Sequence, residues 1–219
     1  MRRSLLNATL QTALNLLVFT IVGTTLLATT YSQTRQTIAR SEQTEKLKLI
    51  GQIMPSNLYD NDILKDTLSI APDALLGTAV ATNAYRARLH DQPTGLIVEA
   101  IAPDGYSGKI NLIIAIHYDG TIGGVRVVEH KETPGLGDYI EAAKSDWIKG
   151  FDGKALDSSA TQAWQVKKDG GQFDYMAGAT ITPRAMVKAV RKALEFFSEH
   201  RQELFVSSGA AAKSSQERQ

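Results

Sequence analysis

The sequence predicts an α+β fold in which one N-terminal transmembrane helix precedes an antiparallel sheet packed against helices. Three observations lead there. A long uncharged stretch opens the chain, four strand-like runs fill its middle, and an amphipathic helical pattern closes it. The chain has 219 residues, which suits one domain with appendages. Hydrophobic residues make up 43%, enough for a real core and too many for a disordered chain.

The opening stretch is the membrane segment. Arg2 and Arg3 are followed by 31 residues, Ser4 to Thr34, without Asp, Glu, Lys or Arg. A helix of about 20 residues crosses the ~30 Å hydrocarbon layer. The threonines in it (Thr20, Thr24, Thr25, Thr29 and Thr30) can bond back to a carbonyl one turn earlier. A cleaved signal peptide is the competing reading, but Leu27-Ala28-Thr29-Thr30-Tyr31-Ser32 offers no clean small-x-small cleavage site. The two arginines on the short side keep that end in the cytoplasm. The rest of the chain then lies across the membrane.

A helical stalk is expected to continue from the membrane and end before Pro55. Turn residues Asn57, Asp60, Asn61, Asp62 and Pro72 follow. Strands are predicted over Asn83–Leu89, Gly95–Ile101, Lys109–His117 and Thr121–Glu129. Tyr118-Asp119-Gly120 joins the last two as a hairpin turn. The run from Ile110 to Ile116 is almost wholly apolar, as in a strand covered on both faces. Thr182 is a good N-cap and Pro183 suits the first helical position. From there Met186, Val187, Val190, Leu194 and Phe197 form an apolar stripe. The chain therefore divides into N-terminus and anchor (1–34), stalk and linker (35–75), a globular domain (76–206) and a disordered tail (207–219).

Composition removes several function classes. Lys+Arg is 24 against 23 for Asp+Glu, so no charge excess draws the chain to nucleic acid. Without cysteine there is no disulfide, thiolate zinc site, iron–sulfur ligation, c-type haem attachment or cysteine nucleophile. No two of the four histidines have helical metal-pair spacing, so no metal site is expected. No Ser/His/Asp cluster or nucleophile elbow suggests a hydrolase, and no catalytic residue is assigned. Redox chemistry would need an organic cofactor.

Two loops remain. One is Glu132-Thr133-Pro134-Gly135-Leu136-Gly137, just after the hairpin. The other is Asp174-Tyr175-Met176-Ala177-Gly178-Ala179-Thr180, just before the closing helix. Gly178 and its flanking alanines let backbone amides approach a ligand, and Thr180 lies near the positive end of the helix dipole. Arg184 falls in the first turn, where the dipole disfavours a cation unless an anion sits close by. The same Gly-Ala-Thr stretch also serves as a plain tight turn into a capped helix. Trp147, Trp164 and Tyr175 are either stacking partners for a ligand or core aromatics.

Asp174 to Thr180 resembles the Asp-x-x-(Ser/Thr)-Gly-Ala-Thr signature of FMN-binding domains whose flavin is joined to threonine by a phosphoester. Ala177 stands where that signature carries Ser or Thr. Glu132 to Gly137 and the single N-terminal span also resemble that family. Within it the chain resembles the G subunit of the Rnf-type (Rsx) electron transport complex. The C subunit of the sodium-pumping NADH:quinone reductase is a more distant relative. The resemblance implies covalent FMN on Thr180, attached by a flavin transferase that uses FAD as donor. Gly178, Ala179, Glu132, Thr133, Leu136 and Arg184 are the other candidate cofactor-binding residues.

It further implies an electron-transfer subunit of an ion-translocating complex that moves electrons between ferredoxin and NAD, with other membrane subunits as partners. No Gly-x-Gly-x-x-Gly follows a strand, so the chain is not expected to oxidise NADH by itself. The competing reading is a non-enzymatic, membrane-anchored ligand-binding or assembly module.

Overall fold

A computed structural model describes residues 2–156 and 161–205; the expected disordered tail lies outside the described residues. The chain forms two compact units, Met1–Leu47 and Lys48 onward. Helix α1 runs over Arg2–Ile53. Within it, Thr9–Arg35 is long and apolar enough to cross a membrane. The hydroxyls of Thr20, Thr29, Thr30 and Thr34 donate to carbonyls one turn back, at 2.7–2.8 Å. That removes four polar groups from competition with lipid.

The second unit is built on an antiparallel meander of five strands in sequence order. They are β1 (Thr67–Ile70), β2 (Thr82–Leu89), β3 (Gln92–Ala102), β4 (Ile110–His117) and β5 (Ile122–Glu129). The four predicted strands are β2 to β5. Sequence patterning does not announce β1, because its four residues are too short to set up an alternation. The β2–β3 turn places His90 and Asp91 at positive φ (52° and 61°), the left-handed pair that a two-residue hairpin turn demands. Gly120, at φ +94°, closes the β4–β5 turn as Asp-Gly predicts.

Both sheet faces are covered, which is why β4 reads as continuous apolar sequence. One face presents Leu96, Val98, Leu112, Ile114 and Val125. They bury against Met186, Val190, Leu194 and Phe197 of helix α2 (Ile181–Leu204). The other presents Tyr85, Ala87, Ile97, Ile113 and Ala115, covered by Ile50, Ile53, Met54 and Ile63. The last turn of α1 therefore belongs to this core, and Pro55 follows where no further turn can form. Arg126 of β5 holds the same turn, donating to the Gln52 side chain at 2.9 Å.

Two long loops, one between β3 and β4 and one from β5 to α2, converge at the N-terminus of α2. In the second, Trp147 meets Phe151 edge-on, and Phe151, Trp164 and Phe173 stack and tilt on one another as an aromatic core. Both tryptophans are thereby structural.

Candidate functional site

A cavity of about 360 Å³ lies where these loops meet the start of α2. The β3–β4 turn contributes Tyr106, the 132–137 loop contributes Glu132, Thr133, Leu136 and Gly137, and residues 178–182 supply the rest. Gly178 is at φ +88°, with open space where a Cβ would stand. That left-handed turn redirects the chain into the helix.

Thr182 does not cap the helix, contrary to the sequence expectation. The helix begins at Ile181, and Thr180 holds the N-cap position without a side-chain capping bond. Thr182 is buried, and its hydroxyl donates to Glu132 Oε2 at 2.5 Å. Pro183 still sits in the first turn, where its missing N–H is harmless. The first helical bond is Arg184 N–H to the Thr180 carbonyl, so the N–H groups of Ile181 and Thr182 have no intrahelical acceptor.

Glu132 is not a solvated loop acid. It is 4% exposed, and its other oxygen accepts from the Ser107 N–H at 3.0 Å. It thus ties the β3–β4 turn to α2. Gly105 and Gly137 make room for it: a Cβ at either position would lie 2.9 Å and 2.6 Å from its oxygens. Behind it, Lys144 pairs with Asp138 and Glu141, each at 2.8 Å. The ammonium holds both carboxyls below their ordinary values, and His130 adds to the effect on Glu141.

The apolar part of the wall is uncovered. Tyr106 is 69% exposed, and Leu136 and Ile181 are each 48% exposed. Polar donors at one end and bare apolar side chains at the other are what a ligand with an anionic group and a flat apolar body requires.

The comparisons with known proteins agree with this reading of the loops. Residues 105–195 match the profile of the FMN-binding domain, and residues 1–53 match that of the RnfG N-terminal region. The G subunit of the ion-translocating oxidoreductase complex of Vibrio cholerae is 46% identical over 200 residues, covering 91% of this chain and 95% of that protein. Its counterpart in Pseudomonas aeruginosa is 46% identical over 210 residues, covering 96% of each. This chain belongs to the same G-subunit family. The Aliivibrio fischeri member is 43% identical over 194 residues, covering 89% of this chain and 92% of that protein.

In this member of the G-subunit family, Glu132, Thr133, Leu136, Gly178, Ala179 and Thr180 gather around the cavity, within the FMN-binding domain. Arg184 is not among them. Its guanidinium makes two bonds of 2.6 Å to Asp169, beside a separate cavity. Asp169 is thus the anion that offsets a cation in the first turn of the helix. Asp174 pairs with Lys167 and accepts from the Trp147 indole at its carbonyl, as a turn residue does. Tyr175 is exposed and does not line the cavity. Tyr106, Gly137, Ile181 and Thr182 line it although sequence reasoning does not point to them as cofactor residues. A tyrosine flanked by Gly105 and Gly108 in a turn is the available signal for the first.

Proposed function

We propose that this chain is a single-pass, membrane-anchored flavoprotein that relays electrons through covalent FMN within an ion-translocating oxidoreductase complex. The observation that carries this is Thr180. Thr180 lines the cavity at the N-terminus of α2, and its hydroxyl is not spent on capping the helix. A flavin transferase would join the FMN half of FAD to Thr180 Oγ1, releasing AMP and the hydroxyl proton.

The residues present fit such a group. The Ile181 and Thr182 N–H groups and the helix dipole favour the charge of a phosphodiester. Gly178 lets the backbone come close, and Tyr106, Leu136 and Ile181 offer apolar surface for a ring system. FMN, when bound, links one-electron and two-electron partners. A covalent link keeps it from diffusing away, which suits a domain outside the cytoplasm.

Membership of the G-subunit family supports other membrane subunits as partners. Arg2 and Arg3 ahead of the Thr9–Arg35 span support a cytoplasmic N-terminus in the inner membrane and a periplasmic domain.

A denaturing gel under ultraviolet light tests the chemistry. The wild-type band should fluoresce when a flavin transferase is co-expressed. Thr180→Val should be dark while retaining its fold by circular dichroism. A dark wild-type band, or an intact mass equal to that of the polypeptide alone, would refute covalent attachment. Protease added to spheroplasts should digest the domain, and protection would reverse the orientation.

A further inference from the structure

Among the described residues, Glu132 is the only ionisable side chain on the cavity wall besides the Tyr106 phenol. Both of its oxygens accept hydrogen bonds, Oε1 from the Ser107 N–H and Oε2 from the Thr182 hydroxyl. Those two bonds hold the carboxyl group in one orientation on the cavity wall. Neither donor carries a charge. Among the described residues no lysine or arginine pairs with it, and Lys144 of the same loop cluster is committed to Asp138 and Glu141. The side chain packs closely between Gly105 and Gly137, where an added Cβ would stand 2.9 Å and 2.6 Å from its oxygens.

We propose that Glu132 acts as a positioning residue that also supplies a fixed negative charge, lowering the reduction potential of the flavin held in this cavity. The inference rests on the flavin reading above. Adding electrons beside a buried, uncompensated anion is opposed by Coulomb repulsion, which water screens poorly at such a site. Two neutral hydrogen bonds offset only part of that charge. No electron passes through Glu132 and no proton leaves it. Its effect is on how strongly the reduced form is disfavoured relative to the oxidised one, which makes the flavin a stronger electron donor.

The test is a redox titration, followed by visible absorbance, of full-length protein purified in detergent from cells that co-express a flavin transferase. Glu132→Gln removes the charge and keeps the architecture: its amide oxygen can accept from Ser107, and its amide N–H can donate to the Thr182 oxygen. The preference for the reduced flavin should rise at least tenfold, an upward shift of about 30 mV for a two-electron couple. Thr182→Val leaves the charge but removes a neutral donor from it, so the potential should fall. A Glu132→Gln midpoint equal to or below that of the wild type overturns the proposal. If that variant carries no flavin, Thr182→Val decides: a lower midpoint sustains the proposal, and an unchanged or higher one overturns it. Wild-type protein without covalent flavin overturns the functional reading itself, and this inference with it.

Discussion

Adding one methyl group at Gly137 should destabilise the domain by roughly 2.5–6 kcal/mol. The backbone there is at φ −89° and ψ −14°, which alanine adopts without strain. At a roomy position the same change would stabilise slightly, by about 0.4–1 kcal/mol, through the unfolded chain. Gly137 is not roomy. The new Cβ would stand 2.6 Å from Glu132 Oε2, 3.0 Å from Glu132 Cβ and 3.1 Å from Thr182 Oγ1.

The Glu132 side chain is buried and held at both oxygens, so it can yield only by giving up the Thr182 bond. A hydrogen bond to a charged group contributes about 1.5–3 kcal/mol, and overpacking costs about 1–3 kcal/mol more. For a chain of this size the melting temperature should fall by roughly 5–24 °C. Tryptophan fluorescence is the right monitor, because Trp147 and Trp164 both pack in this unit. Gly150→Ala is the control, since nothing lies within 4 Å of its Cβ and its φ is ordinary. A Gly137→Ala melt within about 2 °C of the control would refute the claim that the Glu132–Thr182 contact is tight.

Other expectations follow from the same geometry. A chain beginning at Lys48 should remain soluble and folded, whereas one beginning at Asn57 should aggregate, because it loses Ile50, Ile53 and Met54 from over Ile97 and Ile113; gel filtration distinguishes them. Ile53→Ala in the full chain should cost about 2–5 kcal/mol by denaturant unfolding. Lys144→Met should lower the melting temperature at about pH 7, and the difference from wild type should shrink as the pH falls below the ordinary carboxylate range. The Asp138 and Glu141 carboxyls are held below 3.8 and 4.5, so their stabilisation is complete above those values and lost as pH falls through the depressed ones. Arg184→Gln should leave in-gel flavin fluorescence unchanged, since Asp169 and not the cavity takes its guanidinium.

Most of the sheet is legible in the sequence because period-two patterning and turn chemistry are local. Asp119-Gly120 announces one hairpin, and the unbroken run from Ile110 announces a strand covered twice. What covers its second face is not legible. Ile50, Ile53 and Met54 sit at irregular spacing at the end of a helix, and only the folded chain shows that they cap Ile97 and Ile113. The cavity residues divide in the same way. Gly178 to Thr180 are readable as a left-handed turn into a helix. Tyr106 and Thr182 are not, because the turn bearing the first and the helix bearing the second are brought to one cavity by the buried Glu132, a contact that no local pattern announces. Arg184 misleads for a physical reason: a cation in the first turn does imply a nearby anion, but pattern alone does not say whether that anion is a ligand or a side chain.

The start of α2 shows how the chain divides its hydroxyls. Threonine at an N-cap is ordinarily worth about 1 kcal/mol through a bond to a free N–H two or three residues on. Here Pro183 supplies no N–H three residues after Thr180, and Thr180 itself lies in the right-handed helical region at φ −83°, where capping geometry is poor. The nearby hydroxyl of Thr182 is turned inward to Glu132 instead. Two threonines therefore stand within one turn of a helix end, and neither caps it. One fixes the loop that bears Glu132, which closes one side of the cavity. The other belongs to a residue that lines the cavity, beside two N–H groups that the helix leaves unpaired. A negative charge placed at this end would test that logic. Thr180→Asp places a carboxylate at the positive helix end, where it should raise the melting temperature while abolishing flavin fluorescence. If Thr180→Asp instead melts lower than Thr180→Val, the N–H groups are already satisfied and this end of α2 is not available to an anionic ligand.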